Sequence, residues 1–131
     1  HILIIDDSVV ARNQIKRTVE PTGLNITMAK NGKEGLEQLL KWADDPEFSF
    51  DKLVMVLSDI EMPMMDGYTL TTEIRNSERF SKLYVLLHTS LSGVFNQDMI
   101  KTVGANQFIA KFNADDLATS VMNRLKEVIA G

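Results

Sequence analysis

The chain has 131 residues, 44% of them hydrophobic and 24% charged, which is the size and make-up of one folded domain and excludes intrinsic disorder. It contains no cysteine, so disulfide scaffolds and thiolate metal sites are excluded too. The net charge of −4, from 14 basic and 18 acidic residues, argues against a nucleic-acid partner, and the apolar runs are too short for membrane insertion. No secretory signal opens the chain, so a cytoplasmic location is expected. His1 lies directly before the first apolar strand, and residues 1–131 are expected to be a single domain excised from a longer chain.

Ile2-Leu3-Ile4-Ile5 is an unbroken apolar run, as in a strand covered on both faces. Ser8 is placed to cap a helix carrying Ala11, Ile15 and Val19, which Pro21 and Gly23 end. Leu24, Ile26 and Met28 alternate as a second strand, followed by Lys30-Asn31-Gly32, which reads as a turn. Leu36, Leu39, Leu40 and Ala43 mark a helical face. Residues 44–52 form a long loop that either packs Phe48 and Phe50 back onto the domain, over Trp42, or serves as a contact surface. Leu53 to Leu57 is a buried strand, and Asp66 opens a helix with Leu70 and Ile74. Leu83 to Leu87 is a fourth strand; Phe95, Met99, Ile100 and Val103 stripe a helix that Gly104 ends with positive φ. Phe108 to Ala110 is a fifth strand, and Asn113 caps a last helix with Leu117, Val121, Leu125 and Val128 on one side.

Five strands alternating with five helices predict an α/β doubly wound three-layer sandwich on a parallel sheet. In the strand order 2-1-3-4-5, ligands gather at the carboxyl ends of the strands near the switch in order. Asp6 and Asp7 follow the first strand, Asp59 the third, Thr89 the fourth and Lys111 the fifth. Each residue has an ordinary reading alone: helix-start acids, a turn aspartate, a strand-end threonine, a surface lysine. Together they bring three carboxylates, a hydroxyl and an ammonium to one rim. Carboxylates that close need a cation between them, and all-oxygen ligation suits Mg²⁺. A carboxylate beside such an ion can attack a phosphoryl group, with the lysine and the hydroxyl holding its oxygens.

The runs Ile4-Ile5-Asp6-Asp7-Ser8 and Ser58-Asp59-Ile60-Glu61-Met62-Pro63-Met64-Met65-Asp66-Gly67, with Thr89 and Lys111, resemble the receiver domains of bacterial two-component signalling. The resemblance covers essentially the whole chain. It implies a flavodoxin-like, CheY-like (βα)5 fold and a signalling phosphoacceptor that catalyses only its own phosphorylation and dephosphorylation. Asp59 is then the residue that takes a phosphoryl group from a histidine kinase. Asp7 binds Mg²⁺ directly, Asp6 through water, and the main-chain carbonyl of Glu61 is a further ligand. Thr89 and Phe108 fall at the switch positions, with the output surface on the last two helices and the strand between them. The stretches from Leu87 to Gln97 and from Ala110 to Asn113 look closest to receivers of the CheV family of chemotaxis coupling proteins. That similarity implies the kinase CheA, a preceding CheW-like domain reaching the chemoreceptor signalling complex, and a role in receptor–kinase coupling or as a phosphate sink.

Three positions depart from the receiver pattern. Phe112 follows Lys111 where proline, usually with a cis bond, is common; Ser90 stands where alanine is common; Glu61 is acidic and is expected to pair with Lys111. His88 beside Thr89 is expected to be a hydrogen-bonded structural histidine. A stand-alone CheY-like protein binding the flagellar motor is the alternative within the class. A haloacid-dehalogenase-type phosphatase is the enzyme rival, but its Asp-x-Asp pair belongs on the first strand and Asp59 does not. No glycine-rich nucleotide loop is present.

Overall fold

Strands that are apolar at every position must be covered on both faces, and the computed structural model, which describes residues 1–89, 97–109 and 113–130, shows how. Five parallel strands, β1 (Ile2–Ile5), β2 (Ile26–Ala29), β3 (Met55–Asp59), β4 (Val85–His88) and β5 (Gln107–Ile109), lie in the order 2-1-3-4-5. Helices α1 (Val9–Val19) and α5 (Ala114–Ala130) cover one face. Helices α2 (Gly32–Ala43), α3 (Gly67–Asn76) and α4 (Gln97–Val103) cover the other. This is the expected doubly wound, flavodoxin-like sandwich. Among the described residues no helix is long and apolar enough to cross a membrane.

Period-two alternation divides the core. Leu3, Ile5, Val56, Val85 and Leu87 pack with Leu39, Leu70, Ile74 and Ile100, whereas Ile2, Ile4, Met55, Leu57 and Leu86 pack with Ile15, Val19, Leu117 and Val121. Continuing the second set by one step brings Asp6, Asp59 and His88 above Ile4, Leu57 and Leu86, with Asp59 and His88 in register.

The strand boundaries differ from the apolar runs. Leu53, Val54 and Leu83 are buried but precede the ladders, which begin where β1 offers Ile2 to Met55 and β3 offers Val56 to Val85. Apolarity reports burial; the ladder depends on the neighbouring strand. Met28 and Leu40, expected on core faces, are each 40% exposed, Met28 because β2 is an edge strand. Lys30-Asn31-Gly32 is more than a turn. Asn31 Oδ1 accepts the Glu34 N–H at 2.9 Å, and the Glu34 carboxylate accepts the Lys30 N–H at 3.2 Å, capping α2. Ser8, Asp66 and Asn113 cap α1, α3 and α5 as expected.

The long loop packs onto the domain. Phe48 stacks on Trp42 with centroids 4.4 Å apart, and Phe50 meets both Phe48 and Phe80 edge-on. Gly104 ends α4 at φ +85°. At the opposite end of the sheet from the acidic residues, Arg75 on α3 donates to the carbonyls of Ser81, Leu83 and Gly104 and to Asn106 Oδ1 at 2.7–3.0 Å. This anchor had no signature in the sequence.

The start of α3 is pressed against the end of β3. The Gly67 N–H donates to the Ile60 carbonyl at 2.8 Å, and a Cβ at Gly67 would meet the Asp59 carbonyl oxygen at 2.4 Å and the Ile60 Cα at 2.9 Å. Both are backbone atoms that carry Asp59 and cannot swing aside. Gly67→Ala is therefore expected to destabilise the domain by about 1–3 kcal/mol, measured by urea denaturation. A variant as stable as the parent would show that this contact relaxes freely.

Candidate functional site

The carboxyl ends of β1, β3 and β4 carry the polar groups that the apolar strands cannot bury elsewhere. Asp6 is 3% exposed. Its Oδ1 accepts the Ser8 N–H at 2.9 Å, and the Arg12 guanidinium holds its main-chain carbonyl at 2.6 Å. Those two bonds fix the β1–α1 turn and point the carboxylate across the sheet. Asp59, 6% exposed, accepts a long 3.4 Å bond from the Glu61 N–H. Thr89 is buried at the end of β4, its N–H donating to the Ile109 carbonyl at 3.2 Å. Asp7 is exposed at the mouth.

Asp6, Asp7, Asp59, Glu61 and Thr89 line one cleft of about 340 Å³, walled by Val10, Ala11 and Gln14 of α1. Larger grooves of about 660 and 570 Å³ run elsewhere on the surface, around Arg124 and along β5 and α5. Neither gathers buried carboxylates, so chemistry rather than volume marks the candidate site.

Burial pushes the Asp59 carboxyl up to about 7, and the neighbouring Asp6 charge adds to the rise. Burial also raises Asp6, against the pull of the Ser8 N–H. Among the described residues, no lysine or arginine pairs with either side chain. Two buried carboxylates with raised pKa values and, among the described residues, no salt-bridged lysine or arginine form a donor set that a divalent cation would relieve. Their oxygens suit a hard ion such as Mg²⁺.

His88 departs from the sequence reading. It is 3% exposed, and neither ring nitrogen has a hydrogen-bond partner among the described residues. Its Nε2 lies 3.8 Å from Asp6 Oδ2, beyond hydrogen-bond distance. The expectation of a hydrogen-bonded histidine fails because the strand residues beneath it on that face are aliphatic and the polar neighbours above it stand too far off. Burial pushes its pKa down to about 4, so the ring is neutral at neutral pH and forms no ion pair. Asp6, Asp59 and His88 offer one potential ligand atom each, all within 4.8 Å of one another. Sequence reasoning missed this grouping, although the period-two continuation of the strands contained it.

Phe108 is half-buried on the opposite face, packed with the cluster that contains its register partner Leu87. Ser90, Phe95, Ala110, Lys111 and Phe112 lie outside the described residues. So do the expected Glu61–Lys111 pairing and the isomer of the Lys111–Phe112 bond.

A family model described as the response regulator receiver domain matches residues 2–122. The chain is 31% identical over 124 residues to chemotaxis protein CheV3 of Helicobacter pylori, covering 92% of this chain and 39% of that protein. It is 35% identical over 125 residues to the sensor histidine kinase CheAY of the same organism, covering 94% of this chain and 14% of the kinase. The signal receiver domain of a signal transduction histidine kinase from Syntrophus aciditrophicus superimposes with a TM-score of 0.80 at 29% identity, over 97% of this chain and 90% of that one. The chain thus spans well under half the length of these two relatives, CheV3 and CheAY.

The raised Asp59 pKa makes stability depend on pH. The folded state keeps the Asp59 proton up to about pH 7, whereas an unperturbed carboxyl releases it near 3.8. Ionising Asp59 therefore costs stability progressively across that interval, and the full cost is present above it. In chelator, Asp59→Asn is expected to stabilise the protein above pH 7 by up to about 4 kcal/mol and to change little at pH 4, as read by urea denaturation at both pH values. An equal effect at the two would place the cause outside this titration.

Proposed function

The chain belongs to the response regulator receiver domain family, and from that premise we propose that Asp59 is its phosphoacceptor. One observation carries the reading: Asp59 ends β3 inside a cleft that also holds Asp6, Asp7 and Thr89. The carboxylate oxygen of Asp59 attacks phosphorus, forming a P–O bond, while the bond from phosphorus to the donor breaks and the leaving group takes a proton. From a phosphohistidine kinase that leaving group is an imidazole.

The carboxylates of Asp6, Asp7 and Asp59 and the carbonyl of Glu61 would hold Mg²⁺. The ion supplies positive charge where two carboxylates and a phosphoryl group would otherwise repel. Asp6 and Asp7 position that charge, and the Asp6 turn is fixed in advance by Ser8 and Arg12. The Thr89 hydroxyl donates to a phosphoryl oxygen once one is present, and Lys111 pairs with another. Thr89 follows β4 and bonds through its N–H to the Ile109 carbonyl of β5, the strand that carries Phe108, so these two residues are the proposed switch that passes phosphorylation to the face formed by α4, β5 and α5. Val10, 68% exposed near the start of α1, lines the cleft and gives its wall an apolar element suited to a protein donor.

Similarity to CheV3 supports a place in chemotaxis signalling, with CheA as donor and a CheW-like domain linking residues 1–131 to the receptor complex in the cytoplasm. Within that reading, phosphorylation tunes receptor–kinase coupling or drains phosphoryl groups from the kinase.

Intact mass after incubation with Mg²⁺ and a small phosphodonor tests the chemistry. One added phosphoryl group is expected, absent in Asp59→Asn and in chelator. A phosphorylated Asp59→Asn protein would move the acceptor elsewhere. Phospho-CheA as donor then tests the partner, with transfer faster than from the small donor as the expected outcome.

A further inference from the structure

We propose that His88 makes the acidic pocket a zinc site, in which its Nε2 joins the carboxylates of Asp6 and Asp59 as ligands of Zn²⁺. The proposal deepens the reading of the same pocket by naming a second cation for it, and it rests on that reading only for its regulatory consequence.

The histidine carries the argument. It is 3% exposed, both ring nitrogens lack hydrogen-bond partners among the described residues, and strand register aims it at the same side of the sheet as Asp59. A buried polar side chain without a partner is uncommon and calls for an explanation such as an ion. Here the atoms within reach are the two carboxylates. Nε2 stands 3.8 Å from Asp6 Oδ2, and the three donor atoms lie within 4.8 Å of one another. Zinc–nitrogen and zinc–oxygen bonds of about 2.0–2.2 Å separate tetrahedral ligands by roughly 3.4 Å. Small side-chain adjustments from the observed positions close that gap. Imidazole suits Zn²⁺ and other borderline ions, whereas Mg²⁺ takes oxygen.

The two ions use the same carboxylates and exclude one another. Zinc also engages an Asp59 oxygen whose electron pair must attack phosphorus. The bound zinc form is therefore a blocked receiver, and His88 is the residue that distinguishes it from the magnesium form.

The chain has two histidines, so His1→Gln leaves His88 as the only imidazole in the protein. Its ¹⁵N spectrum is followed while Zn²⁺ alone is added in a non-chelating buffer, and again with Mg²⁺ alone. The expected result is a His88 Nε2 resonance that moves with Zn²⁺, saturates at one equivalent and does not move in that manner with Mg²⁺. An Nε2 resonance unmoved by saturating Zn²⁺ overturns the proposal.

Calorimetry on His88→Leu gives a second readout, with a zinc affinity reduced about tenfold or more beyond any change in magnesium affinity. Equal loss of both, or of neither, overturns it. A protein that shows the Nε2 shift but accepts no phosphoryl group with Mg²⁺ supports the zinc site and removes the phosphoacceptor reading. A protein that is phosphorylated without any Nε2 shift does the reverse.

Discussion

Two carboxylates buried side by side are the constraint around which this domain is arranged. Donor oxygens of Asp6 and Asp59 lie within 4.8 Å, where two unit charges repel by about 3 kcal/mol at an effective dielectric near 20. Desolvation adds to that cost and is the larger cause of the raised Asp59 pKa. A fold selected only for stability would not keep such a pair. The domain nevertheless orients it: the Ser8 N–H and the Arg12 guanidinium fix the turn that carries Asp6, and the absence of a side chain at Gly67 lets α3 close against the backbone of Asp59 and Ile60. The resulting strain is electrostatic, and a cation bound between the carboxylates would discharge it.

That arrangement ties function to the parallel sheet. Because neighbouring strands run in one direction, their last residues emerge at one rim, and period-two alternation decides which of them share a side. Asp6, Asp59 and His88 crown the stack of Ile4, Leu57 and Leu86 on the side of α1 and α5. Phe108 packs on the other side, with Leu87. The residues at the rim are thus backed by both helical layers.

Much of this was legible in the amino-acid sequence because the governing patterns are local. Apolar runs marked the five strands, and Ser8, Asp66 and Asn113 marked three helix starts through their side-chain oxygens. The doubly wound sandwich followed from handedness, and the flavodoxin-type order 2-1-3-4-5, with the strand that carries no chemistry at the edge, placed Asp6, Asp7, Asp59 and Thr89 around one cleft. What escaped depends on distance in three dimensions. The Arg75 anchor joins carbonyls from three separate positions, and no spacing announces it. Ladder starts at Met55 and Val85 follow from partner strands rather than from hydrophobicity. His88 looked like a satisfied core histidine because a sequence does not show whether a buried nitrogen has found a partner.

Burial and the neighbouring Asp6 hold the Asp59 carboxyl in its protonated form up to about pH 7, and a cation between the two would release it. The most direct test is the ¹³C chemical shift of the Asp59 side-chain carboxyl, followed through a pH titration in chelator and again in Mg²⁺. The expected midpoint is near 7 without metal, with a marked fall once Mg²⁺ is bound. A midpoint near 4 in both conditions would contradict it, since Asp59 would then behave as an ordinary solvated carboxylate.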